Sequence, residues 1–194
     1  MFTGIIETLG EVIALEQVHG NLHITIHSSI AAELKIDQSV AHNGICMTVI
    51  ALDHHSHTVT AIEETLSKTN LHALKVGSLI NLERCMSLNG RLDGHLVQGH
   101  VDQTATCVSR QELQGSWIYS FEYDTTKGNV TVEKGSITVN GISLTVVNSQ
   151  AEGFSVAIIP YTYENTNIKQ VQVGSMVNLE FDIIGKYVAR LMLK

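Results

Sequence analysis

Apolar and polar residues alternate along much of this chain with a period close to two. NLHITIHS, HTVTAI, SLINLE, ATCVSR, SWIYSFEY, FSVAII and SMVNLEF are short and rich in β-branched residues. Successive side chains of a strand point to opposite faces, so runs of this kind bury one face and wet the other. The pattern predicts strands. Two stretches interrupt it with helical spacing, SSIAAELK and ETLSKTNLHAL, the second starting just after Glu64 and Thr65, either of which can cap it. The tail IGKYVARLMLK sets Ile184, Tyr187, Val188, Leu191 and Met192 at i, i+3, i+4, i+7 and i+8, one apolar stripe of a helix. Such a stripe either packs back on its own chain or serves as an interaction element, for oligomerisation among others.

The pattern is written twice. Residues 39–83 align with 136–180 at a constant offset of 97, without a gap, and 17 of these 45 positions are identical. SVAHNGICMTV faces SITVNGISLTV, EETLSKTN faces PYTYENTN, and VGSLINLE faces VGSMVNLE. Self-similarity on this scale marks a duplicated structural unit. The start of each copy aligns at an offset of 95, FTGIIE against QGHVD, pairing Gly4 with Gly99, Ile5 with His100 and Glu7 with Asp102. The second copy begins near Leu96, residues 87–94 join the two, and its two extra residues belong in a surface loop.

A length of 194 residues accommodates two such units of about 90–100 residues, each with a modest core that gains from docking on its sister. The formal charge of −7 and a pI near 5.7 argue against nucleic acid or an anionic membrane as partner. No basic-then-apolar leader opens the chain and no apolar run reaches about 18 residues, so a soluble, cytoplasmic protein is expected. Cys46, Cys85 and Cys107 are odd in number and lack a Cys-x-x-Cys spacing, which fits reduced thiols better than disulfides or a zinc knuckle. A lone proline, Pro160, and the lack of low-complexity sequence leave no obvious flexible linker. Dinucleotide, P-loop and nucleophile-elbow motifs are missing too.

Candidate chemistry sits where the copies match and where they differ. Asn43-Gly44 and Asn140-Gly141 each lead into a strand. A period of two sets Cys46 and Thr48 opposite Ile45, Met47 and Val49, and sets Ser143 and Thr145 opposite the equivalent apolar face. These small polar groups either line two similar pockets or are ordinary strand residues facing solvent; their presence in both copies favours pockets. His100 replaces Ile5, which makes one copy titratable. An imidazole can move protons or hold a water or a developing anion, although a hydrogen-bonded structural histidine is the plainer reading. His95, five residues earlier, faces the other way on an extended chain, so GHLVQGH is a poor metal clip. His54-His55-Ser56-His57 reads as an exposed turn that AEGF replaces in the second copy, and metal catalysis is not expected.

The segments MFTGIIE, AHNGICMTV, DGHLVQGHVD and KGSITVNGISLTV resemble landmarks of the riboflavin synthase family, α-chain type, over nearly the whole chain. The resemblance implies an all-β fold of two tandem six-stranded antiparallel Greek-key barrels with short helices. It divides the chain into lumazine-binding barrels over residues 1–95 and 96–183 and a C-terminal trimerisation helix over 184–194. It further implies a homotrimer whose site lies between the N-terminal barrel of one subunit and the C-terminal barrel of its neighbour. The implied activity is a transferase reaction without metal or redox cofactor. One 6,7-dimethyl-8-ribityllumazine gives a four-carbon unit to another, leaving riboflavin and 5-amino-6-ribitylaminopyrimidinedione.

Carried onto this sequence, the first pocket uses Gly4, Ile5, Ile6, Cys46, Met47 and Thr48, with Thr60, Ala61, Ile62, Glu63, Glu64 and Thr65. The second uses Gly99, His100, Val101, Ser143, Leu144 and Thr145, with Ala157, Ile158, Ile159, Pro160, Tyr161 and Thr162. Ala157 and Tyr161 stand at positions that vary within the family. Lys134 matches a lysine that reaches the ligand of an adjacent subunit. The resemblance makes Cys46, His100 and Ser143 the reactive set. His100 and Ser143 assist nucleophile addition or proton removal on one lumazine, and Cys46 positions or deprotonates the other. Two identical substrates with opposite parts suit two similar but unequal pockets. A non-catalytic lumazine or flavin carrier, such as a fluorescent antenna protein, is the alternative; such relatives tend to lose polar site residues, whereas GHVD and NGISLTV are intact here.

Overall fold

A computed structural model describes residues 1–192. Among them, strands β1 (Thr8–Val18), β2 (Asn21–His27), β3 (Ser39–His42), β4 (Ile45–Leu52), β5 (Ser56–Ala61) and β6 (Leu79–Arg84) form one closed barrel. Its order is β1-β2-β5-β4-β3-β6 and every pairing is antiparallel. Strands β7 (Gln103–Leu113), β8 (Ser116–Tyr123), β9 (Ser136–Val139), β10 (Ile142–Val147), β11 (Gly153–Ile158) and β12 (Met176–Phe181) close a second barrel with the same circuit. Because β2 meets β5 and β3 meets β6, the connections are Greek-key, and closure leaves no free sheet edge.

The period-two reading holds on β2 and β4 but not on β6 and β12, where Asn81, Glu83, Asn178 and Glu180 are buried on the face expected to be wet. On β4, Ile45, Met47 and Val49 are buried, whereas Cys46 is half-buried and Thr48 exposed. The first core gathers Val12, Ile24, Ile26, Val49, Val59 and Leu82, and the second Tyr119, Phe121, Ile137, Val156, Ile158 and Leu179. The sequence TLGEVIALEQV is full of helix formers, yet it forms β1. Gly10 lets it lie close to its neighbours, since a Cβ there would meet Ile26 Cγ2 at 2.5 Å and Leu82 Cδ1 at 2.6 Å.

The helical stretches are shorter than their spacing predicts. SSIAAELK yields only a 3₁₀ turn at Ala31–Glu33. ETLSKTNLHAL splits into α1 (Glu63–Lys68) and a 3₁₀ turn at Asn70–Ala73. Neither Glu64 nor Thr65 caps α1: both lie inside it, after Ile62, which provides no side-chain cap. Thr69 caps the following turn by accepting from Leu71 N, and Thr166 does the same after α2 (Pro160–Asn165). The tail forms α3 (Ile183–Met192); residues 193–194 of the expected helix lie outside the described residues. Ile184, Tyr187, Val188, Leu191 and Met192 are all at least half exposed, so the apolar stripe is uncovered in a single chain.

The Asn-Gly motifs turn out to hold the barrels together. Asn43 (φ 48°) and Gly44 (φ 78°) make a tight hairpin turn between β3 and β4, as do Asn140 (φ 46°) and Gly141 (φ 81°) between β9 and β10. The two turns abut. A Cβ on Gly44 would fall 2.7 Å from Gly141 N, and one on Gly141 2.6 Å from Gly44 N. Around them six asparagines bond reciprocally. Asn81 N donates to Asn43 Oδ1 (2.9 Å) and Asn81 Nδ2 to Asn140 O (2.9 Å), while Asn178 N donates to Asn140 Oδ1 (2.8 Å) and Asn178 Nδ2 to Asn43 O (3.0 Å). Asn167 N bonds Asn81 Oδ1 and Asn70 N bonds Asn178 Oδ1, both at 2.8 Å, completing a near-twofold joint between the barrels.

One histidine run departs from expectation. His54 and His55 are exposed, but His57 is fully buried on β5 against His42. Ser56 is buried beside it, and the strand period carries His57, Val59 and Ala61 inward together.

Candidate active site

Ahead of each barrel runs an extended strap, residues 2–6 before β1 and 97–101 before β7. The straps pair once, Phe2 N donating to Val97 O (2.7 Å) and Val97 N to Phe2 O (3.1 Å). Each then lies against the other copy's barrel. Ser143 N donates to Gly4 O and Cys46 N donates to Gly99 O, both at 2.8 Å. Ile6 packs on the second barrel's core and Val101 on the first's. This corrects the expected grouping. Gly4, Ile5 and Ile6 belong with Ser143 and Leu144, and Gly99, His100 and Val101 with Cys46 and Met47. A repeat offset aligns like with like, but it carries no information about a strap that crosses over. The glycines permit the crossing. A Cβ on Gly4 would sit 2.6 Å from Ser143 Cβ and one on Gly99 2.6 Å from Cys46 Cβ, and both residues have left-handed φ values, +77° and +79°.

Two buried carboxylates clamp the straps. Glu83 on β6 accepts from Thr3 N (2.6 Å), Thr3 Oγ1 (2.7 Å) and Gly4 N (2.9 Å). Glu180 on β12 accepts from Gln98 N (2.6 Å), Gly99 N (2.8 Å) and His100 N (2.9 Å). Burial pushes both carboxyls above the usual range, while the N–H donors pull the other way. Neither glutamate was among the candidates. The signal was the repeated Asn-Leu-Glu of VGSLINLE and VGSMVNLE, an acid ending a buried strand in both copies.

Ser143 has a partner in His95. Its Oγ lies 2.7 Å from His95 Nδ1, and His95 Nε2 lies 3.1 Å from Thr138 Oγ1. A neutral imidazole satisfies both contacts. With its proton on Nε2, it donates to Thr138 and accepts the Ser143 hydroxyl proton bond. Burial lowers the His95 pKa and so favours that neutral form. The first barrel has Ala41 where the second has Thr138, so this chain of polar groups is not repeated. Cys46 stands at the place of Ser143, and burial pushes its thiol up, keeping it protonated.

The remaining candidates divide into those that face outward and those that do not. Continuing the register of Val49 opposite Val59 sets Thr60 level with Thr48 and Ile62 level with Cys46. Val146 opposite Val156 likewise sets Ala157 level with Thr145 and Ile159 level with Ser143. Ala61 and Ile158 point into their cores and offer only backbone to this face. Glu63, Glu64 and Thr65 open α1, and Pro160, Tyr161 and Thr162 open α2, at the rims. Ile5 and His100 are both exposed at equivalent strap positions. Lys134 is exposed in a left-handed turn (φ 64°) before β9, 3.9 Å from Glu133, and makes no hydrogen bond to either strap among the described residues. No cluster of three or more potential metal ligands occurs among those residues.

Residues 3–85 and 98–182 each match the lumazine binding domain family. A riboflavin synthase of Mycobacterium tuberculosis is 43% identical over 197 residues, covering 99% of this chain and 98% of that protein. Those of Actinobacillus pleuropneumoniae and Bacillus subtilis are 40% and 39% identical over 195 residues, covering all of this chain and 91% of each relative. The crystal structure of LumP complexed with 6,7-dimethyl-8-(1'-D-ribityl) lumazine superposes with a TM-score of 0.85 at 19% identity, over 93% of this chain and 99% of that one, a likeness of fold. With two lumazine-binding domains in tandem and similarity running from end to end, the chain belongs to the riboflavin synthase family.

Proposed function

We propose that this chain converts two molecules of 6,7-dimethyl-8-ribityllumazine into riboflavin and 5-amino-6-ribitylaminopyrimidinedione by transfer of a four-carbon unit. The two substrates contain every atom of both products, so the transfer needs no external oxidant or reductant. The observation that carries this reading is the pair of matched faces, each a strand residue under a crossing glycine. One face has Cys46 beneath Gly99 with His100 beside it, and the other has Ser143 beneath Gly4 with His95 behind it. Alike in backbone, they hold like ligands; unlike in chemistry, they assign those ligands different parts.

Holding two rings face to face supplies much of the rate, since well-oriented partners behave as though present at about 10⁵ M or more. Ser143, with His95 to accept its proton, suits nucleophile or proton transfer at one ring. His100 has no side-chain hydrogen bond among the described residues and is available to a ligand on the Cys46 side. Cys46, kept as a thiol, positions its ligand by contact and weak hydrogen bonding; the protonated form makes a poor base. Lys134 reaches the ligand of a neighbouring subunit. The uncovered stripe of α3 supports association as a homotrimer, in which the N-terminal barrel of one subunit meets the C-terminal barrel of the next. No helix among the described residues is long and apolar enough to cross a membrane.

Single substitutions test the assignment. Ser143→Ala and His100→Gln are expected to cut turnover about 100-fold. Cys46→Ala should lower it less, and lumazine affinity should move by under about threefold in all three. Unchanged turnover in all three variants contradicts the assignment. Saturable lumazine binding by the unaltered chain without riboflavin formation makes it a carrier.

A further inference from the structure

The duplication places an acid just past each strap, Glu7 and Asp102. Each accepts a backbone N–H from the end of its barrel's last strand, Arg84 N to Glu7 Oε1 at 2.6 Å and Phe181 N to Asp102 Oδ2 at 2.9 Å. Their counter-charges come from different places. Glu7 is met by Arg84 of β6 itself, Nη2 to Oε2 at 2.6 Å, and Arg84 Nη1 also reaches Glu33 Oε2 at 2.7 Å. The first strap is thus braced by its own barrel.

In the second copy Phe181 occupies the place of Arg84 and supplies no charge. Asp102 is met by Lys186, which belongs to α3, outside the repeat altogether. Lys186 Nζ lies 2.8 Å from Asp102 Oδ1 and 2.6 Å from Oδ2, and the side chains are only 27% and 21% exposed. Such shielding makes the attraction less sensitive to salt than that of a surface pair. His100 sits between two fixed points, its own N–H on Glu180 and the Asp102 carboxylate two residues on.

We propose that Lys186 is a positioning residue: by holding Asp102 it fixes the strap that presents His100, so that α3 governs chemistry at the Cys46 face as well as serving assembly. The proposal rests on the reading of the chain as a riboflavin-forming enzyme with His100 in its site. It is tested on the full chain with Lys186→Met, Lys186→Arg, Asp102→Asn and the double variant Lys186→Met/Asp102→Asn. Riboflavin formation is followed over a range of lumazine concentrations beside sedimentation of each protein.

Lys186→Met is expected to lower kcat about tenfold, with KM changed less than about twofold and sedimentation as in the unaltered chain. Lys186→Arg should recover at least about half of the lost activity, and the double variant should be no worse than the poorer single one. Should Lys186→Met fail to fold, Asp102→Asn carries the same expectation. Unchanged kcat, a loss that appears only with altered sedimentation, or losses that multiply in the double variant each overturn the proposal and leave the functional reading standing. No riboflavin from the unaltered chain overturns both.

Discussion

At the scale of single residues, the site is built by small groups that admit a close backbone and by acids that hold it there. Gly4 and Gly99 let the straps touch Ser143 and Cys46, and Glu83 and Glu180 collect three donors each. Glu180→Gln keeps the shape but turns one acceptor into a donor facing a backbone N–H, which costs about 1–3 kcal/mol at a buried position. The variant is expected to fold with a lowered Tm and to lose turnover at least tenfold, measured by thermal unfolding and riboflavin formation; full activity contradicts the clamp. The outward placement of Cys46, Thr48, Ser143 and Thr145 was legible because a two-residue period is a local property. The crossing of the straps was not, because it depends on contacts such as Gly4 with Ser143 that span more than a hundred residues. His95 was hidden for a related reason: its partners, Ser143 and Thr138, lie beyond the motif that contains it.

Single elements show where two copies of one fold have diverged. The first barrel buries a histidine pair where the second has Val139 and Phe154. His42 Nδ1–H donates to Val40 O (3.0 Å), which leaves its Nε2 to accept from His57 Nε2–H at 2.8 Å. Burial drives the pair's pKa values down, His42 to about 3 with help from its neighbour's charge, and His57 to about 4. The unfolded chain, with histidines near 6.5, therefore binds protons that the folded chain refuses. The contribution to stability is complete above about pH 6.5 and is lost as pH falls towards the folded values, by about 1 kcal/mol per pH unit for each histidine. The first barrel should exchange its amide protons at pH 5 before the second does, and His42→Val/His57→Phe should remove the difference. Equal acid sensitivity of the two barrels in hydrogen exchange counts against this. The inter-barrel joint gives a second expectation. Asn81→Ala strands the buried Asn167 N–H and should cost about 1–3 kcal/mol, read as a lowered urea midpoint.

The whole molecule was the most legible level, because duplication and strand period together specify two like β-rich units, and the family resemblance implied that each closes as a barrel. What escaped reading were elements set by tertiary packing. Strand β1 formed from residues that favour helix because Gly10 and Val12 fit against Ile26 and Leu82, and SSIAAELK shrank to one turn on the barrel wall. The tail kept its sequence-level character, an amphipathic helix with its apolar stripe uncovered. If that stripe assembles the trimer, a chain ending at Ile183 should sediment as a monomer beside a threefold larger full chain; unchanged sedimentation assigns assembly elsewhere. Two unequal faces make two identical molecules react with each other. The most direct test of this is the stoichiometry of purified protein incubated with 6,7-dimethyl-8-ribityllumazine alone. One riboflavin and one 5-amino-6-ribitylaminopyrimidinedione are expected for every two lumazines consumed, with no added cofactor; lumazine that is bound but never consumed, or riboflavin formed in any other ratio, contradicts a reaction between two identical molecules.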